Sequence, residues 1–113
     1  MSDKQYTVES FKGTITIPTS DTVSTGTQVI GAVNGLTQHI SVTPPEMEGT
    51  DSTLMEIVNA EDATYFSSGT VAEKVTTVVG SAVGIVPGDK IVMTAEGTQS
   101  ANVDIAFDIR LLI

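Results

Sequence analysis

Residues 101–113 read Ala-Asn-Val-Asp-Ile-Ala-Phe-Asp-Ile-Arg-Leu-Leu-Ile. Val103, Ile105, Phe107, Ile109, Leu111 and Ile113 take the odd positions, and Asn102, Asp104, Ala106, Asp108, Arg110 and Leu112 the even ones. A helix would scatter those charges around its circumference. A strand, whose side chains alternate between faces, puts the odd set on one side and the polar set on the other. The segment therefore reads as a half-buried β-strand. Its end, Leu111, Leu112 and Ile113, is apolar on both faces, where a chain end normally frays in water. The sandwich or a neighbouring subunit is expected to cover it.

The rest of the chain follows the same period. Residues 5–17 predict a long first strand. Tyr6 and Val8 have even parity whereas Phe11, Ile15 and Ile17 are odd, so a bulge near Glu9 and Ser10 is expected to reconcile them. Val29, Ile30 and Val33 lead to Asn34-Gly35, after which Leu36, Ile40 and Val42 resume the pattern. Asn-Gly supplies the positive φ angles of a two-residue hairpin turn, which predicts a hairpin there. Residues 54–59 and 63–67, joined by Ala60-Glu61-Asp62, predict a second hairpin, with Ser68-Gly69 leading into a strand over 70–79. Thr53 and Glu56 have capping-box spacing, so a short helix from Leu54 competes, but Ile57, Val58, Thr64, Tyr65 and Phe66 favour strands. Val86-Pro87-Gly88-Asp89 has the residues of a type II turn and leads into a strand over 90–95. Polar loops are expected at 18–27 and 43–52.

This pattern predicts an all-β fold: an antiparallel β-sandwich, jelly-roll-like, of about eight strands. The 113 residues suffice for one core, so residues 1–113 are read as a single domain. The composition agrees, with 40% hydrophobic and 17% charged residues and an abundance of Val, Ile and Thr. The absence of cysteine removes disulfides, thiolate metal sites and cysteine nucleophiles together. The formal charge of −9, with scattered cations Lys4, Lys12, Lys74, Lys90 and Arg110, repels a phosphate backbone, so no nucleic-acid partner is expected. No stretch approaches a membrane span, and no apolar signal-peptide core follows Met1-Ser2-Asp3-Lys4-Gln5. The expectation is a soluble protein made in the cytoplasm of the cell that translates it, without a membrane partner.

Catalytic groups are hard to assemble. His39 is the only histidine, and its alternation with Ile40 and Val42 places it with Ser41 on the polar side of a strand, as a surface or interface residue rather than a base. No Gly-x-Ser-x-Gly elbow occurs. Asp104 and Asp108 share a face, but at ~3.3 Å per residue they stand ~13 Å apart, too far to share a metal or act as a glycosidase pair. A solvated face with Arg110 as neighbour is the plainer reading. Glu46, Glu48 and Asp51 could offer oxygens to calcium, although their spacing fits no EF-hand loop; a solubilising acidic loop explains them equally. Gly31, Gly35, Gly69, Gly80, Gly84, Gly88 and Gly97 read mostly as turn glycines rather than a phosphate cradle. The aromatics Tyr6, Phe11, Tyr65, Phe66 and Phe107 sit in strand patterns and are expected in the core, not as a sugar-binding platform. The expectation is therefore no enzyme, no cofactor and no metal.

The run over residues 57–69, the segment Gly84-Ile85-Val86-Pro87-Gly88-Asp89-Lys90-Ile91 and the alternating last strand together resemble the small β-sandwich head decoration, or cement, proteins of tailed bacteriophages. The resemblance implies a homotrimer seated on the outer surface of the virion, bound to the major capsid protein. It also implies an extended amino-terminal arm over residues 1–7 at the contact, here Ser2, Asp3, Lys4, Gln5 and Tyr6; a frayed terminus is the plainer alternative. The apolar end, Leu111, Leu112 and Ile113, completes the expected interface. A tail or baseplate component shares these features, and a carbohydrate-binding or adhesion module could use the same sandwich.

Overall fold

The computed structural model describes residues 8–19, 24–31, 34–47, 52–80, 82–96 and 101–112. Nine strands are found there: β1 (Val8–Ile17), β2 (Ser24–Val29), β3 (Gly35–Thr43), β4 (Ser52–Val58), β5 (Thr64–Val71), β6 (Thr77–Gly80), β7 (Gly84–Ile85), β8 (Lys90–Glu96) and β9 (Val103–Leu112). The predicted eight become nine through the two-residue β7. One sheet has the order β1-β9-β3-β6, with β7 also on β3, and the other β2-β8-β4-β5.

The antiparallel pairings are nested. β1 pairs with β9, β2 with β8, β3 with β6 and β4 with β5, so the chain is one long hairpin whose tip is the β4–β5 turn. Rolling that hairpin brings β9 against β3 and β8 against β4, which closes the two sheets into a jelly roll. The terminal strand is as its sequence reads. Val103, Ile105, Phe107, Ile109 and Leu111 are all buried, against Ile15, Ile17, Ile40 and Val42 of its own sheet and Met55, Ile57, Ile91 and Met93 of the other. The β4–β5 hairpin is also as predicted, and residues 52–58 are strand rather than helix.

Four local expectations need correction. No hairpin forms at Asn34-Gly35, because β2 and β3 lie in different sheets. Ile30, fully buried, gives its N–H to the Asp89 carbonyl (2.7 Å) and accepts the Gly88 N–H (2.9 Å); this tertiary pairing draws the chain across the sandwich before the Asn-Gly pair can turn it back. β1 has no bulge, since Val8 to Ile17 pair with β9 without a slip. Val8 falls in backbone register with Leu112 and, one strand further, Leu36. The loop expected over 18–27 ends early, because Ser24–Val29 is strand. The strand expected over 70–79 is divided differently: β5 continues through Ser68-Gly69, where Gly69 has φ +70° at a register slip, and the break comes at residues 72–76.

His39 and Ser41 also depart from a simple polar face. The β3–β9 register slips between Thr37 and His39, which leaves Gln38 as an extra residue. His39 is half-buried and Ser41 is buried, set between Asp108 of β9 and Val78 of β6.

Two glycines bring the sheets together at the sides of the sandwich. A Cβ on Gly26 would stand 2.6 Å from the Thr16 carbonyl oxygen, so β2 crosses β1 where only a hydrogen fits. On the other side the Phe66 ring packs on Gly80, 2.5 Å from where a Cβ would be. The first obstacle is backbone and cannot move aside; the second is a ring that can turn. We expect Gly26→Ala to lower unfolding stability by about 1–3 kcal/mol and Gly80→Ala by less, measured as the urea midpoint at constant m-value.

Candidate functional site

The register places β1's start and β9's end at the same end of the roll, together with the β2–β3, β4–β5 and β7–β8 connections. The β7–β8 connection is the turn the sequence predicts. The Asp89 N–H donates to the Val86 carbonyl (3.2 Å), and Gly88 has φ +96°, the left-handed value that the third position of a type II turn demands.

Asp89 is only 3% exposed, and a buried carboxylate is costly unless hydrogen-bonded. Its side chain accepts the Val86 N–H (3.0 Å) and the Tyr65 hydroxyl. Burial, then the hydrogen bond to Asp89 and its negative charge, hold the Tyr65 phenol protonated well above the usual tyrosine range. The tyrosine hydroxyl turns inward while the residue as a whole stays 44% exposed, which corrects the expectation that this aromatic lies in the core. Phe107 is buried, and Phe11 and Phe66 are half-buried against the core as expected; Tyr6 lies outside the described residues.

The neighbouring loops are also tied down. The Asn59 side-chain oxygen accepts the Glu61 and Ala63 N–H groups (3.0 and 2.9 Å), folding the β4–β5 turn, and Lys90 pairs with Asp62 beside it. Thr37 is fully buried and holds the segment before β7 in three ways: its hydroxyl and its carbonyl accept the Val83 and Ala82 N–H groups (2.8 and 2.7 Å), and its own N–H donates to the Val83 carbonyl (2.9 Å). Ala82 takes a left-handed φ of +58° to allow this.

On this braced frame sit exposed apolar side chains. Of the six large apolar residues exposed among the described residues, Val29, Leu36, Tyr65 and Val86 belong to this end; Val75 lies in the turn at the opposite end and Val78 on β6. Exposed apolar residues scattered singly are ordinary on any protein surface. Four of the six stand around one end, Leu36 on the outer side of the first sheet and Val29 on that of the second, each on or beside a connection held by these hydrogen bonds; a partner seated on this rim would cover them without much loss of chain entropy.

The interface residues read from the sequence divide three ways. Leu111 is fully buried in the core, so the sandwich itself covers it and its side chain is not free to meet a partner. Leu112 is half-buried on the outer face, between Val8 and Leu36 in register. Ser2, Asp3, Lys4, Gln5, Tyr6 and Ile113 lie outside the described residues. Sequence reading named none of Val29, Leu36, Tyr65 and Val86 for this role; Val86 precedes the Pro-Gly pair, where an apolar residue has no strand neighbour to cover it.

The remaining candidates are dispersed. Asp104 accepts the Thr16 hydroxyl (2.5 Å) and Asp108 lies 3.4 Å from Arg110, so the two carboxylates have separate neighbours. Glu46 is exposed, whereas Glu48 and Asp51 lie outside the described residues. Among the described residues no three His, Cys, Asp or Glu side chains gather where they could hold a metal ion.

No family model matches the chain, and no curated protein matches it. Among solved structures, a chain in the structure of infectious bursal disease virus, Gx strain, is similar with a TM-score of 0.44 and 6% identity; the overlap covers 96% of this chain and 32% of that one. The present chain thus spans about a third of that chain's length.

The Tyr65–Asp89 contact predicts an alkaline limit to stability. A phenol held protonated in the folded state stabilises it fully below the unfolded tyrosine value of about 10, and this contribution is lost as pH rises beyond that value, where the unfolded chain gives up the proton first. We expect Tyr65→Phe to cost about 1–2 kcal/mol at pH 7 and to flatten the fall in stability above about pH 10, both read from denaturant titrations.

Proposed function

We propose that this domain is a non-enzymatic structural protein of a viral particle: a capsid decoration protein that binds the major capsid protein on the outer surface of the shell and stabilises it. The observation that carries the reading is the apolar rim of Val29, Leu36, Tyr65 and Val86, set on one end of a jelly roll and fixed by the Asp89 and Thr37 networks. Jelly rolls serve as viral coat, lectin and other binding domains, so the fold admits this role without choosing it. The surface supports it. A braced apolar end suits a fixed contact with another protein better than it suits a diffusing substrate.

The rest of the surface fits a particle component. Fourteen acidic residues against five basic ones keep the domain away from packaged nucleic acid. A seat at the rim would also bring the start of β1 next to the shell.

Mixing the purified protein with undecorated shells of its own virus should give saturable, periodic density by electron microscopy. Failure to bind that shell would sink the proposal. Leu36→Asp and Val86→Asp should each weaken binding tenfold or more, on the order expected for residues central to an interface, while Val75→Asp at the opposite end should leave it unchanged. Unchanged melting of all three variants checks that the fold survives.

A further inference from the structure

The borders of the two sheets are formed by β1, β2, β5 and the β6–β7 pair, and all but one are closed to further pairing by their own geometry. β5 slips register twice against β4 and passes through the left-handed Gly69. β6 and β7 are four and two residues long, with the left-handed Ala82 between them. β2 has six residues and leans on β1 at Gly26. Bulges, twists and short lengths are the usual means of keeping a sheet edge from recruiting another strand.

β1 has none of them. Its ten residues keep unbroken register with β9, and no strand pairs with its outer edge among the described residues. Gly26 brings β2 against it at Ile15 and Thr16; over residues 8–14 the edge away from β9 meets no paired strand among the described residues. Phe11, at the middle of that stretch, is half-buried against the core, its ring 5.6 Å from that of Phe107.

We infer that β1 pairs with β1 of a second copy, antiparallel about a two-fold axis at Phe11, so that the β1-β9-β3-β6 sheets of two copies become one. Geometry selects the register. Inward residues must face inward residues, so the two positions in each pair add to an even number. A two-fold centred on Lys12 sets two lysines opposite each other and, like one centred on Gly13, runs into β2 at Ile15. A centre at Ser10 uses, among the described residues, only 8–12. Centring on Phe11 uses residues 8–14 in full and opposes no like charges: Ser10 faces Lys12, Glu9 faces Gly13, and the two Phe11 rings meet beside Phe107. An isologous contact of this kind closes on itself and leaves no new open edge.

The contact is independent of shell binding and differs from the three-fold cluster that the phage resemblance implies. Sedimentation equilibrium and native mass spectrometry of the full chain, from micromolar to about millimolar, should show a monomer–dimer equilibrium, with amide exchange in residues 8–14 slowing as concentration rises. Ser10→Lys should weaken the dimer on the order of threefold or more, although it makes each chain less negative; Ser10→Glu should strengthen it, although it makes each chain more negative. A monomer throughout, a trimer, or variants that follow net charge instead of the Ser10–Lys12 pairing would each overturn the inference. Thermal melting of both variants at low concentration reads separately their effect on the fold, where Ser10 faces Arg110 of β9, and the dimer constants are compared after that.

Discussion

β9 is the strand on which the architecture depends. It is flanked by β1 on one side and β3 on the other, and it contributes five consecutive inward residues to the core. Its neighbours could not pair with each other in its absence without changing the winding of the roll. The inward set is large and branched at nearly every position, so a one-residue slip would turn five apolar side chains to solvent and bring Asp104 and Asp108 into the core. Register is therefore specified by burial, and the pairings of β1 and β3 are specified through it. The second sheet repeats the arrangement with β8, whose Ile91, Met93 and Ala95 are inward between β2 and β4.

How much of this was legible in the sequence follows from how local each signal is. The alternation of residues 103–112 needs no partner to be read, and neither do the β4–β5 turn or the Pro-Gly turn, whose residues carry their own backbone preferences. The Asn34-Gly35 pair was misleading because its local preference is real but was outweighed: Ile30 had already bonded to residues 88 and 89, nearly sixty positions away. The open stretch within β1 was hidden for a similar reason, since only the approach of Gly26 to Thr16 shows where that edge is closed and where it is free.

The candidate site was not legible residue by residue. The terminal strand drew attention to the same end of the molecule as the rim, but through Leu111, a residue that the core consumes. The rim lies instead on turns, where apolar residues have no periodic signature. Nor could the sequence show that Asp89 is buried or that Tyr65 reaches it, because an Asp after Pro-Gly is ordinary turn chemistry. The bond joins β5 to the turn before β8, and so couples the tip of the long hairpin to its returning arm. Apolar side chains on such a frame give up little conformational freedom on meeting a partner, and in this respect the polar network beneath the rim matters as much as the rim.

The nested hairpin has a further consequence, for the time course of folding. Its outermost pairing joins residues from opposite ends of the chain, as the Thr16–Asp104 hydrogen bond spans 88 positions. Loop-closure entropy must be met before such contacts return any stabilisation, which places the chain among slow, high-contact-order folders. Contacts made late in folding are also those that brake unfolding when they are absent from the transition state. A roll that closes last at β1 and β9 would therefore be long-lived once closed, a property measured by its unfolding rate and independent of how large its equilibrium stability is.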